Sequence, residues 1–189
     1  MPNLTARLKQ KLEGATRIAF LGVGSELRGD DAAGLLMAAL LHEYFQIPKL
    51  GVLAPLRENT SEGFRAAAGD CVPFTATVLV GGTAPENVTG EIKRFKPSHL
   101  VILDAGDMGK KPGEMGVYST EDIHGVSFST HRLPLSILVK YLAQFDKFQT
   151  LLLAVQPSSL AFGAAVSAPV KAAVAKAFAA IKQALPRSA

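Results

Sequence analysis

An α/β domain, with a mostly parallel sheet and helices packed on both of its faces, is the fold this sequence predicts. Three observations carry it. Short, wholly apolar runs recur along the chain, which is how strands covered on both faces read. Segments with apolar residues at helical spacing alternate with those runs. The 189 residues show no internal repeat, and their number suits one domain.

The elements follow in order. Leu4, Leu8 and Leu12 stand at helical spacing and predict an opening amphipathic helix over about 3–14. Residues 17–24 (RIAFLGVG) form an apolar run closing on glycines, a buried strand. After a loop over 25–30, residues 31–44 are rich in Ala and Leu and predict a helix. Asp31 lies at its start, where the helix dipole favours negative charge. Residues 48–73 are broken by Pro48, Gly51, Pro55, Gly63, Gly69 and Pro73, leaving room only for a short helix near 61–68. Regularity returns with a strand at 75–80. Thr83-Ala84-Pro85-Glu86 then has the form of a capping box opening a short helix toward Phe95. A third buried strand covers 100–103, with Asp104 directly after it, and 115–119 predicts an edge strand. Helix signals resume at Pro134 with Leu135, Leu138 and Leu142 on one face. Another strand at 150–155 ends in Gln156-Pro157. The helix at 168–185 turns Val170, Val174, Phe178, Ile181 and Leu185 inward.

Composition excludes several function classes. Hydrophobic residues make up 48% and charged residues 19%, enough apolar material for a core, so a disordered tail is out. The net charge of +4 is scattered rather than gathered into a stripe, and Trp is absent, so no nucleic-acid partner is expected. Cys71 is the single cysteine, which rules out an internal disulfide or a cysteine-based zinc cluster and fits a reducing compartment. Charges interrupt the N-terminal apolar positions, and no apolar stretch is long enough for a membrane span. A soluble, cytoplasmic protein with no membrane insertion is expected.

In an open α/β sheet, ligands bind outside the carboxyl ends of the strands. The polar residues expected there are the loop 25–31, Gly81-Gly82-Thr83, Asp104 to Asp107, Gln156 and, before the Pro134 helix, His131. The glycine loop is not a phosphate site. Leu27 replaces the third glycine of the dinucleotide fingerprint, and Asp30-Asp31 stand where a P-loop needs Lys-Ser/Thr. Adjacent carboxylates repel a phosphate and suit a cation. Each candidate has a plainer reading alone: Asp30-Asp31 as helix caps, Asp104 as a turn residue, and His131, like His42, His99 and His124, as a surface histidine. Together Asp31, Asp104 and His131 would offer two carboxylates and an imidazole, a set suited to a borderline divalent ion such as nickel or zinc. No His-Glu-x-x-His helix and no Gly-x-Ser-x-Gly elbow is present.

Five blocks in order carry a resemblance. Gly22-Val23-Gly24-Ser25-Glu26-Leu27-Arg28-Gly29-Asp30-Asp31-Ala32-Ala33-Gly34 resembles the opening motif of the [NiFe]-hydrogenase maturation endopeptidases. Gly81 to Asn87 resembles their second motif, Val101 to Gly109 with Pro112-Gly113-Glu114 the third, and Ser129 to Leu135 the fourth; Gln156-Pro157 ends the expected last strand. The second and third blocks are most similar to the branch serving formate-hydrogenlyase-type or membrane-associated hydrogenases. Ser25 replaces the family's usual Asn, and Ala32 its usual Gly. Ser25 can still orient the loop by hydrogen bonding.

The resemblance implies a three-layer α/β/α sandwich of the phosphorylase/hydrolase-like kind, its sheet mixed at an edge. It implies a protease that removes the C-terminal extension of the [NiFe]-hydrogenase large-subunit precursor after nickel insertion. Asp31, Asp104 and His131 map onto the metal-sensing and catalytic positions, Asp30 onto a neighbouring acidic one. The nickel arrives with the substrate, so the free enzyme need hold none. Relative to the family pattern, residues 3–14 form an added helix and 48–73 an inserted segment within a single 1–189 domain. A monomer or weak homo-oligomer is expected. A non-hydrolytic nickel-binding checkpoint protein would use the same three residues.

Overall fold

The computed structural model describes residues 3–45, 74–119, 135–145 and 147–186. The segment 48–73, Cys71, His124 and His131 lie outside the described residues.

Five strands form one sheet: β1 (Arg17–Val23), β2 (Thr75–Gly82), β3 (His99–Ala105), β4 (Met115–Ser119) and β5 (Gln149–Val155). Their order is β2-β1-β3-β5-β4. β1 pairs in parallel with β2 and β3, β3 pairs in parallel with β5, and β4 runs antiparallel along β5 at the edge. The apolar runs are strands because both of their faces are covered. Alternate residues enter two separate cores. Ile18, Phe20, Val101, Leu103, Leu151 and Leu153 face one core, shared with α1 (Leu4–Lys11), α2 (Ala33–Tyr44) and α5 (Ala168–Ala184). Ala19, Leu21, Leu100, Ile102 and Leu152 face the other, shared with α3 (Thr89–Phe95) and α4 (Leu135–Leu142). The result is the expected three-layer α/β/α arrangement.

The helices hold their places for local reasons. Asn3 caps α1 by accepting the Ala6 N–H at 2.8 Å, and Gly14, at φ 73°, turns the chain toward β1, so the helix is shorter than 3–14. Arg7 donates from Nη2 to the Val117 carbonyl at 2.7 Å, tying α1 to the edge strand β4 and protecting it. α5 buries Val170, Val174 and Ile181, each worth about 1.5–3 kcal/mol of apolar transfer. Phe178 is only partly buried.

Three local expectations are corrected. α2 starts at Ala33 rather than Asp31, because residues 29–32 wind as a 3-10 turn ahead of it. The Thr83 capping box does not form. Pro85 opens a 3-10 turn with Ala84 at its N-cap and no side-chain cap, and α3 begins only at Thr89. His99 is not a surface residue: as the first residue of β3 it is 4% exposed, its Nδ1 3.0 Å from Ser98 Oγ.

Burial holds the His99 pKa below the ordinary value of 6.5, and the Gln149 side chain offsets part of that shift. The folded protein therefore keeps His99 neutral where the unfolded chain would be protonated. Below pH 6.5 the unfolded chain binds more protons, so stability is full above that value and declines as the pH falls through it. Thermal midpoints measured between pH 7 and about 5.5 should drop in the native protein and by less in His99→Asn. Equal drops in both would remove His99 as the cause.

Candidate active site at the carboxyl edge of the sheet

The site starts with two glycines. Gly24 follows β1 at φ 133°, and a Cβ there would lie 1.9 Å from the Asp31 carbonyl oxygen, so only glycine lets the loop fold back on the turn. A Cβ on Gly34 would lie 2.2 Å from the carbonyl oxygens of both Val23 and Leu103. The first turn of α2 is thus seated on the ends of β1 and β3, which are neighbours through the Gly22–Leu103 pairing. Ser25 orients the loop: its Oγ accepts the Leu27 N–H at 3.3 Å. The Asp31 N–H donates to the Arg28 carbonyl at 3.1 Å and closes the turn.

The adjacent aspartates have different surroundings. Asp30 is fully buried and accepts four hydrogen bonds from the loop between β5 and α5. Its Oδ2 takes the N–H groups of Ser158 at 2.7 Å and Ser159 at 3.1 Å and the Ser167 hydroxyl at 2.9 Å; its Oδ1 takes the Ser167 N–H at 2.7 Å. The Asp30 N–H donates in return to the Ser159 carbonyl at 3.0 Å. Burial disfavours the charge and is the largest single influence, yet these donors outweigh it and hold the carboxyl below the ordinary aspartate value. Asp30 neither caps α2 nor presents itself as a ligand. It clamps two loops together. Asp31 is 1% exposed, and the four bonds given above all end on Asp30.

Asp104 is the sixth residue of β3, inside the strand rather than after it, and fully buried. Its Oδ1 accepts the Ala105 N–H at 2.8 Å. The 3-10 turn that carries Asp31 packs on β3, so Asp31 and Asp104 share the carboxyl edge of neighbouring strands. His131 lies outside the described residues, and among those described no set of three His, Cys, Asp or Glu side chains could hold a metal ion. His99 cannot substitute: it lies five residue steps along β3 from Asp104, roughly 16 Å.

Gln156 organises the loop beyond Asp104. Its Oε1 accepts the N–H groups of Met108 at 2.7 Å and Lys110 at 3.1 Å, and its Nε2 donates to Asp107 Oδ1 at 3.1 Å. Its backbone binds Glu114 and Gly113 across the same loop. Asp107 Oδ1 also accepts the Gly109 N–H, and these two donors, the backbone one first, lower the Asp107 pKa. Sequence reasoning named Gln156 by its place after a strand but missed this buttress, and it missed the Asp30 clamp. The one signal in the sequence was the concentration of serines at 158, 159 and 167, whose partner lies more than a hundred residues away.

The family model of the HycI hydrogenase maturation protease matches residues 67–184. The hydrogenase 3 maturation protease of Escherichia coli K12 is 32% identical over 155 residues, covering 82% of this chain and 81% of its own. The crystal structure of the [NiFe] hydrogenase maturation protease HycI from Thermococcus kodakarensis KOD1 superposes with a TM-score of 0.73 at 28% identity, covering 95% of this chain and 98% of that one. The solution structure of the endopeptidase HycI from Escherichia coli gives 0.64 at 27% identity, covering 92% and 97%.

Proposed function

This chain belongs to the hydrogenase maturation protease family, and from that premise we propose how its residues do the work. It is an endopeptidase that removes the C-terminal extension from the large-subunit precursor of a [NiFe] hydrogenase. Asp31, Asp104 and His131 engage the nickel that the precursor carries, and that ion is the mark of a substrate ready for cleavage. Supporting this is the position of two buried carboxylates at the carboxyl ends of adjacent strands, at the edge where open α/β sheets take their ligands. Carboxylate oxygens with one imidazole suit nickel while leaving coordination positions for the substrate's own ligands.

Two routes to hydrolysis fit these groups. The substrate's nickel, held by the trio, positions the scissile bond and polarises its carbonyl or an attacking water. In an aspartic-type reaction, Asp31 or Asp104 takes the proton of that water as its oxygen bonds to the carbonyl carbon, and the proton passes to the departing amine. Substrate positioning falls to the preset loops in both routes. The enzyme acts in the cytoplasm as a monomer or weak homo-oligomer. A single cysteine fits a reducing compartment, and among the described residues no helix is long and apolar enough to cross a membrane.

The test is incubation with nickel-loaded and nickel-free precursor, followed by mass spectrometry of the product. Loss of the tail only from the nickel-loaded form is expected. Binding with no change of mass would instead mark a non-hydrolytic checkpoint protein, and equal cleavage of both forms would remove nickel as the recognition element.

A further inference from the structure

We propose that Leu27 and Phe162 form a preassembled docking rim for the folded hydrogenase large-subunit precursor, beside the edge where Asp31 and Asp104 lie. The inference rests on the reading that the precursor comes to Asp31.

Both side chains are large, apolar and open to solvent, Leu27 at 62% and Phe162 at 80% exposure. They sit on different loops that the structure joins into one. The Gly163 N–H donates to the Leu27 carbonyl at 2.8 Å, Arg28 Nε to the Leu160 carbonyl at 3.3 Å, and the Asp30 clamp fastens the inner side of the same pair of loops. A Cβ on Gly29 would come within 2.8 Å of the Ser159 carbonyl oxygen, which shows how closely the two loops run.

The composition of the second loop points the same way. Residues 157–167 (PSSLAFGAAVS) contain no Asp, Glu, Lys or Arg, although 161–163 and 165 are exposed. An ordered surface loop ordinarily carries charge; depletion of charge around exposed aromatic and aliphatic side chains is the signature of an interface core. Tyr141 and Phe145 on or beside α4, by contrast, already hold the Lys93 ammonium 4.4 and 3.5 Å from their ring centres.

Continuity with the active edge identifies the occupant. Leu27 lies on the same short loop as Asp31, so a protein surface that brings a tail and its nickel to Asp31 meets Leu27 first and, across the fastened loops, Phe162. Because hydrogen bonds already join the two loops, less ordering entropy is lost when the precursor covers them.

The test uses the full chain with Leu27→Ser, Phe162→Ser and the double variant, substitutions of exposed side chains that leave the core intact. With nickel-loaded precursor, the double variant should raise KM about tenfold while kcat stays within about twofold. Unchanged KM, or a fall in kcat at unchanged KM, overturns the proposal. Surface plasmon resonance of the native chain and the rim variants over immobilised precursor reads docking whichever residues carry the cleavage, so the rim is tested even if the assignment of Asp31 and Asp104 fails. Weakened binding there supports the rim. A concentration-dependent dimer in analytical ultracentrifugation that the double variant loses, with precursor binding intact, assigns the surface to a second copy of this chain and overturns the proposal.

Discussion

Asp104→Asn is expected to slow cleavage of the nickel-loaded precursor by at least about a hundredfold, with Asp31→Asn falling by a similar factor. The change is nearly isosteric. An amide oxygen at position 104 can still accept the Ala105 N–H that Oδ1 accepts now, so β3 keeps its local geometry. What is lost is a carboxyl group at a buried strand end, the group that a cation or a proton in flight would need there. Mass spectrometry of the product over time gives the rate, and a thermal midpoint near that of the native protein separates lost chemistry from lost fold. The double variant makes a sharper statement. If both carboxylates serve the same ion or the same water, Asp31→Asn/Asp104→Asn should be scarcely slower than the worse single variant, because groups acting as a unit are not additive. Multiplied losses would mean two separate roles, and a rate within tenfold of native in either single variant would remove that residue from the mechanism.

Much of the fold was legible because its signals are local. A strand covered on both faces must be apolar throughout, so Ile18 to Val23, Leu100 to Leu103 and Leu151 to Val155 announce themselves. The edge position of β4 showed in its short, less apolar sequence. Failures came where a longer-range term decided. Thr83 to Glu86 has the residues of a capping box, but Pro85 sets a 3-10 turn first. His99 follows Lys96-Pro97-Ser98 and reads as surface; packing against the Gln149 end of β5 buries it, a contact the local sequence does not announce. At the site, the places of Asp31 and Asp104 followed from the rule that ligands gather at strand ends. The clamp that Asp30 makes did not. Nothing in two identical neighbours says which one turns toward a loop some 130 residues further along.

The clamp has a measurable consequence in stability. Asp30→Ala leaves three buried or half-buried N–H groups and a hydroxyl without their acceptor. Charge-assisted bonds of this kind are worth more than neutral ones, but water can reach part of the exposed Ser158–Ser159 turn, so a net loss of about 3 kcal/mol is expected. For a chain of this size that lowers the thermal midpoint by about 10 °C. Asp30→Asn should lose less: with its amide oxygen in the Oδ2 place it still accepts three of the four bonds, leaving only the Ser167 N–H opposed by an amide N–H. The contribution also has a definite pH course. Burial pushes the Asp30 pKa up, the Ser167, Ser158 and Ser159 donors bring it below the ordinary value of 3.8, and the net shift is downward. Its stabilising effect is therefore complete above 3.8 and is lost as the pH falls toward the lower, folded-state value. The gap in thermal midpoint between the native protein and Asp30→Asn should be constant from pH 7 down to about 5 and should narrow below 3.8. A gap that persists undiminished into strong acid would mean that the loops are held by shape alone, and that the charge on Asp30 is incidental to the clamp.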